Sequence, residues 1–310
     1  MICRDSITNY PIVKLENPTM NGVLIIDKPA GLTSHDVVSR VRRILQQRSV
    51  GHLGTLDPLA TGVLPLVLGN MTRLAQFYIA SEKTYEGVVR FGFATDTYDS
   101  DGEPIGSPQP VALTLEQARE LAHKFLGSVE QMPPPFSAKK IQGVPAYKLA
   151  RKKKEVPLKP VQVEIKEFEI LNFEADRAHF RARVASGTYM RSVAHDMGKL
   201  AGCGAHLESL RRTSVAEFTI DCAHTLEALA DAVRSGEIDN VLVHPRQLLP
   251  SLPSVTATDE IVSRIRHGRP VNLPELSRAR DVKVFYGQRE LIAISTRVAG
   301  TLFHPRIVLV

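Results

Sequence analysis

The 310-residue sequence has no apolar run long enough to cross a bilayer. Its uninterrupted apolar stretches are short, such as Gly22 to Ile26 and Ile307 to Val310, against about 20 residues for a spanning helix. The first residues, Met1 to Thr19, hold neither an apolar h-region nor an Arg-rich amphipathic pattern, which argues against a signal or transit peptide. Only three cysteines are present (Cys3, Cys203, Cys222), odd in number and without C-x-x-C spacing. A disulfide framework and a cysteine zinc site are therefore not expected, and a reduced, cytoplasmic setting fits best. The histidines do not pair at metal-ligand spacing near cysteines, and no Gly-rich loop opens a helix. No metal, nucleotide cofactor or membrane partner is expected.

What is present is a globular composition, 43% hydrophobic and 23% charged, with a formal net charge of +6. That excess is concentrated. From Gln131 to Pro160 the net charge is +7, and from Leu252 to the C-terminus it is +4, leaving −5 for the rest. A lysine run alone is usually a solvated loop. Two separate basic segments with Phe136, Tyr147 and Tyr286 interleaved suit a nucleic acid as well as they suit solvent.

Hydrophobic patterning predicts a mixture of strands and helices. Gly22–Ile26 reads as a buried strand closed by the Lys28-Pro29-Ala30-Gly31 turn. Thr33 and Ser34 can cap a helix with Val37, Val38, Val41, Ile44 and Leu45 on one face. Gly51 to Pro65 reads as a loop, Tyr85 to Phe93 as a strand with Val89, Phe91 and Phe93 on one face. Thr114 and Gln117 resemble a capping box for a helix to about Leu126. Val161, Val163 and Ile165 alternate and then change parity at Phe168 and Ile170, a strand with a bulge. Phe180, Ala182 and Val184 form its neighbour, and Tyr189 to Leu200 reads as a helix with Val193, Met197 and Leu200 on one side. Gln131 to Pro160 holds six of the twenty prolines and is expected to be an exposed excursion. The linker Leu249-Pro250-Ser251-Leu252-Pro253-Ser254 precedes short strands that suggest a small β-barrel of about 55–60 residues.

Two strings carry candidate chemistry. Thr97-Tyr98-Asp99-Ser100-Asp101-Gly102 fails as a calcium loop, since Thr97 and Pro108 stand where acidic ligands are needed. It also lacks the continuation expected of an aspartyl-nucleophile phosphatase, and by itself reads as an Asp/Gly turn. The second string is Gly51-His52-Leu53-Gly54-Thr55-Leu56-Asp57-Pro58-Leu59-Ala60-Thr61-Gly62-Val63-Leu64-Pro65. An Asp-Pro in such a loop is commonly a turn; a carboxylate fixed there can also act as a covalent nucleophile.

This whole string closely resembles the catalytic loop of the bacterial TruB-type tRNA pseudouridine synthases. Further strings follow in that family's order: Asn21–Pro29, Lys83-Thr84-Tyr85, Thr95–Gly102, Gly187–Gly198 and Cys203–Thr213. The resemblance is strong over about 21–250 and weak beyond. Leu53 departs from the small or polar residue usual there, and Met1–Met20 are not covered.

The resemblance implies an α/β (α+β) pseudouridine synthase fold with a mixed, largely antiparallel central sheet and a small C-terminal PUA-like β-barrel. It divides the chain into an extension (1–20), a catalytic domain (21–250) with a basic RNA-gripping insert (131–160), and an RNA-binding domain (251–310). Asp57 would be the nucleophile that isomerises the T-loop uridine of tRNA, position 55, after the base flips out. Arg191 would pair with Asp57, and Tyr85 would pack on the uracil as a possible general base. His52, Tyr189 and Leu210 would line the pocket, Leu210 through its backbone polar groups. Lys139, Lys140, Lys152, Lys153 and Lys154 would hold RNA phosphates. The implied partner is the tRNA T-arm stem-loop, with the acceptor stem as a further contact, and the protein would act as a monomer without cofactor. A non-catalytic RNA-binding protein of the same fold and a hydrolase with an aspartyl nucleophile are the alternatives. The intact set Asp57, Tyr85 and Arg191 speaks against the first.

Overall fold

Val23, Leu24, Ile25 and Ile26 are all fully buried, so the first strand is covered on both faces, which is why it reads as a continuous apolar run. The computed structural model describes residues 20–137, 140–141, 144–145, 158–275 and 277–310. In chain order the first elements are β1 (Gly22–Lys28), α1 (Ser34–Ile44), β2 (Val50–His52), β3 (Thr61–Leu68), a 3-10 turn (Gly69–Leu74) running into α2 (Ala75–Tyr78), and β4 (Lys83–Phe91). There follow β5 (Ala94–Thr95), β6 (Pro104–Ile105), α3 (Leu115–His123), β7 (Gly127–Gln131), the hairpin strands β8 (Lys140–Ile141) and β9 (Val144–Pro145), β10 (Val161–Glu174), β11 (Arg177–Val184), α4 (Met190–Ala201), β12 (Ala205–Val215), β13 (Phe218–Thr219) and α5 (Leu226–Ser235). The C-terminal part contains β14 (Ser254–Ala257), α6 (Asp259–Arg266), β15 (Val271–Asn272), β16 (Asp281–Tyr286), β17 (Glu290–Ala299) and β18 (Leu302–Val308).

Helix starts follow their caps. Thr33 and Asp36 form a reciprocal capping box on α1, and Thr114 and Gln117 form another on α3. The large sheet runs β1-β3-β12-β4-β11-β10-β7, with β2 also on β3 and β13 on β12. Only β3 with β12 is parallel, so the sheet is mixed and largely antiparallel, as the family resemblance implies. β10 shifts register against β11 between Ile165 and Glu167, the bulge its parity change foretells. One face of β4 and β11 buries Tyr85, Val89, Phe91, Ala178, Phe180 and Ala182. The other is a ladder of paired charges, among them Arg183 with Glu82 at 3.0 Å, Arg90 with Asp176 at 3.0 Å and Arg177 with Glu208 at 2.8 Å. The two faces differ because side chains alternate along a strand.

The C-terminal sheet runs β14-β16-β17-β18-β15 and packs α6 over its own core. It rests on the large sheet through an apolar layer including Leu74, Tyr78, Phe218, Leu249, Phe285 and Ile307. The buried Lys283 ammonium donates to the carbonyls of Arg246 (3.0 Å) and Leu248 (2.7 Å), tying β16 to the residues just before the linker. Among the described residues no helix is long and apolar enough to cross a membrane.

Four expectations need correction. Gly51–Pro65 is not one loop: its ends belong to β2 and β3, driven by the buried Val63, Leu64 and Leu66. The strand from Tyr85 stops at Phe91, where Gly92 takes φ +102°, and the Phe93 ring turns to the His206 ring, 4.5 Å away. Leu200 is exposed. It lies about 20° round the helix from the buried Val193 but two turns further along, one residue before α4 ends and the chain turns away at Gly202 with φ +77°. Finally, the start of the Gln131–Pro160 segment is not an excursion, because Gln131, Pro133, Pro134 and Ser137 are buried.

Candidate active site

β3 changes neighbours along its length. Thr61 and Gly62 pair with Arg211 and Arg212 of β12, whereas Leu66, Val67 and Leu68 pair with β2. The loop 53–60 occupies the resulting gap, where backbone carbonyls have no strand to bond and must find other donors. Buried side chains supply them. Arg212, 1% exposed, donates to the carbonyls of Val63 (2.8 Å), Thr55 (3.3 Å) and Gly54 (3.1 Å). Lys28 donates to Leu32 (2.6 Å), Pro29 (2.9 Å) and Pro58 (3.2 Å). The Ser34 hydroxyl accepts from the Leu56 N–H at 2.8 Å and donates to the Leu56 carbonyl at 3.1 Å. Gly62 permits the close approach of β12, with φ +98° and a Cβ position 2.2 Å from the Arg212 carbonyl oxygen.

This loop delivers Asp57, whose side chain is 36% exposed, to the guanidinium of Arg191, which is 5% exposed. Arg191 Nε stands 2.9 Å from Asp57 Oδ2, although its N–H is not aligned on that oxygen, so the contact is an ion pair. The rest of the guanidinium is fixed by the Asp99 carboxylate at 3.3 Å and by the carbonyls of Thr97 (3.1 Å) and Phe136 (3.0 Å). Asp99 is buried, which pushes its carboxyl up, while the Thr97 hydroxyl and Arg191 work against that shift. Arg191 thus bridges one enclosed and one open carboxylate.

Around Asp57 lies a cavity of about 330 Å³, within the size range of small-ligand sites. Asp57, Tyr85, Arg191, His52, Tyr189 and Leu210 all line it. Asp57 is its single carboxylate among the described residues. Burial, and then Arg212, pull the His52 imidazole down, so it is neutral at pH 7. Burial pushes the Tyr189 phenol up, keeping it protonated. The Tyr189 backbone is fixed by Gln131, which accepts its N–H at 2.8 Å and donates to its carbonyl at 3.1 Å. Burial brings the Lys28 ammonium down to about 8 against the opposing pull of Asp57. With three carbonyl acceptors, it is the charged form that the surroundings use.

Of the five lysines expected to hold phosphates, Lys139, Lys152, Lys153 and Lys154 lie outside the described residues, and Lys140 is described only as backbone in β8. Three site residues escape reading by sequence alone. Asp99 reads as a member of an Asp/Gly turn, yet its carboxylate meets Arg191. Arg212 sits in a string matched as a whole without a role of its own. Lys83, which also lines the cavity, is one residue of a three-residue motif valued for Tyr85.

Comparison with known proteins shows the family. The model of the TruB family pseudouridylate synthase N-terminal domain matches residues 42–190, and that of the tRNA pseudouridylate synthase B C-terminal domain matches residues 191–250. The chain is 48% identical over 294 residues to a tRNA pseudouridine synthase B of Solibacter usitatus, covering 94% of this chain and 100% of that protein. It is 41% identical over 251 residues to that of Geobacter sulfurreducens, covering 81% and 83%. Among solved structures it superposes on a Cbf5-Nop10-Gar1 complex with TM-score 0.68 and 25% identity, covering 93% of this chain and 85% of that one. An H/ACA ribonucleoprotein bound to a substrate RNA gives TM-score 0.68 at 24% identity with the same coverage, a likeness of fold.

Proposed function

The chain belongs to the TruB family of tRNA pseudouridine synthases, and on that premise we propose that it converts the T-loop uridine of tRNA, position 55, to pseudouridine with Asp57 as the nucleophile. The observation that carries this reading is the placement of Asp57 as the one carboxylate of the cavity among the described residues, open to it and ion-paired to a buried arginine.

The reaction breaks the C1′–N1 bond, turns the uracil and joins C5 to C1′, with the hydrogen of C5 leaving as a proton and N1 gaining one. A uridine within a stacked loop cannot reach Asp57, so the base must be extruded into the cavity. There the Tyr85 ring, buried on β4 and lining the cavity with Asp57, offers an apolar face for the uracil. Asp57 can bond to C6 of the base or C1′ of the sugar, or take a proton from C2′; each needs an ionised carboxylate. Arg191 places a positive charge beside Asp57, and its bonds to Thr97, Phe136 and Asp99 keep that charge in place. The clamp by Arg212, Lys28 and Ser34 holds the loop rigid, so little ordering is left to do at the moment of reaction. Neutral His52 and protonated Tyr189 complete the wall as polar groups without net charge.

The partner in this reading is the T-arm stem-loop, with the basic segment 131–160 along the phosphates and the C-terminal sheet towards the acceptor stem. The test is to incubate the purified protein with an unmodified tRNA transcript and map pseudouridine to the nucleotide. Modification at the T-loop uridine is expected; modification elsewhere, or none, refutes the assignment.

A further inference from the structure

Among the described residues, Lys83 is a buried cation without a counter-charge. It is 8% exposed, and among the described residues no carboxylate lies within ion-pair distance of it. Among the described residues its one hydrogen bond goes from the ammonium to the Ser81 carbonyl at 2.5 Å, which leaves two donors without a partner there. Its nearest charge is of the same sign: Arg212 stands on the neighbouring strand, and both side chains converge on Gly54, whose Cβ position lies 3.6 Å from Arg212 Nη1 and 3.7 Å from Lys83 Cε. Arg212 spends its donors on three carbonyls and likewise has no carboxylate partner. The remaining lysine or arginine of the lining, Arg191, is matched by Asp57 and Asp99. Burying an unpaired charge costs several kcal/mol, so a protein that keeps one beside an open cavity is arranged for a ligand that brings the opposite charge.

Position selects the ligand. Lys83 and Tyr85 stand two residues apart on β4, both buried on the same face and both lining the cavity. Side chains so spaced are about 6.7 Å apart along a strand, a span comparable with the separation of base and phosphate in one nucleotide. We propose that Lys83 is the docking point for a backbone phosphodiester flanking the flipped nucleotide, anchoring the sugar-phosphate while the uracil lies on Tyr85. This rests on the reading of the cavity as the uridine site. The contact would hold the ribose while the base detaches and turns, a task that the Asp57–Arg191 pair, engaged at the base and C1′, does not perform.

The test is a cycle between protein and RNA. T-arm stem-loops are prepared with a neutral methylphosphonate in place of the phosphate on the 5′ or the 3′ side of the target uridine, and their affinities are measured for wild type, Lys83→Gln and Lys83→Arg. For the wild type one of the two replacements is expected to weaken binding by about ten-fold, the scale of one charge-assisted hydrogen bond. In Lys83→Gln the same replacement is expected to have no further effect, because the contact is already gone. The salt slope of that variant should drop by about 0.7–0.9, and Lys83→Arg, which keeps the charge, should restore most of the affinity. If both replacements weaken Lys83→Gln as much as they weaken wild type, Lys83 holds only the Ser81 turn and the proposal fails. It fails as well if Lys83→Gln binds normally but isomerises slowly, which would move the ammonium to the departing uracil. Should Lys83→Gln not fold, the wild-type and Lys83→Arg arms still decide, since two silent methylphosphonates leave no phosphate for Lys83 to hold. Pseudouridine formation by the wild type is followed in parallel. Its absence would refute the uridine reading itself, whereas its presence with an additive cycle would refute only the role of Lys83.

Discussion

Replacing Arg212 by methionine should separate the chemistry from the fold. The side chain is almost wholly enclosed, and its three bonds reach the carbonyls of Val63, Gly54 and Thr55 at 2.8, 3.1 and 3.3 Å. A hydrogen bond involving a charged group contributes about 1.5–3 kcal/mol, so the two shorter ones together contribute about 3–6 kcal/mol. Methionine removes them, but it also relieves the cost of burying a cation with no carboxylate partner. We expect a net loss of about 2–4 kcal/mol, which in a chain of this size lowers Tm by about 4–16 °C. The kinetic effect should be larger. Gly54 and Thr55 precede Asp57 by three and two residues, and a displacement near 1 Å at a reacting group costs on the order of a hundred-fold in rate. Single-turnover release of tritium from C5 of the target uridine, measured well below the variant's Tm, should therefore slow by about a hundred-fold or more. Arg212→Lys should fall between, because one ammonium cannot span three carbonyls on two segments. A folded Arg212→Met with wild-type kcat would show that the clamp does not position Asp57.

Asp57→Asn should abolish isomerisation while tRNA affinity stays within a few-fold of wild type, because phosphate contacts spread over a basic surface carry most of the binding; single-turnover formation and filter binding on the same variant check this, and substantial turnover would sink the nucleophile assignment. Arg191→Met should be nearly as damaging, since it leaves Asp57 and the buried Asp99 without their shared cation and frees the carbonyls of Thr97 and Phe136. Arg191→Lys should recover only part of the rate, lacking the planar fork that reaches all four. Replacing Lys139, Lys140, Lys152, Lys153 and Lys154 with Gln should flatten the salt dependence of tRNA binding by about two units if three phosphate contacts are lost; an unchanged slope would remove the segment from the binding surface.

The features legible in the sequence are those that repeat within a few residues. The capping boxes of α1 and α3 and the parity change in β10 are local patterns, and the structure contains each of them. So is the Asp57 loop as a string, although its ends as β2 and β3 are not, because a strand only three residues long exists through its partner. The contacts that build the site join positions far apart in the chain. Arg191 meets Thr97 across 94 residues and Arg212 meets Thr55 across 157, separations at which no periodicity carries information. Leu200 marks another limit: its spacing from Val193 and Met197 suits a buried face, but it falls in the last turn of α4, and how far along a helix the cover extends is set by its neighbours and not by its own period. The charge concentrated at 131–160 was readable from composition, whereas the burial of Gln131 and Ser137 beside Tyr189 and Arg191 follows from where β7 ends.

The loop geometry also explains why this site can be both rigid and open. A hairpin between β2 and β3 inside a widening sheet leaves carbonyls at Gly54, Thr55, Leu56 and Pro58 that neither strand can bond. Water could satisfy them, but a hydrated loop would be mobile. Here three side chains from three different elements take them, Arg212 from β12, Lys28 from β1 and Ser34 from α1. Two of these three are cations, so the same groups that fix the backbone also raise the positive potential around Asp57, and Lys28 in particular responds to the charge of Asp57. Scaffold and electrostatics are therefore one arrangement. Removing a cation by an apolar substitution alters both together, and the lysine and arginine exchanges, which keep the charge and break the geometry, are the substitutions that tell the two effects apart.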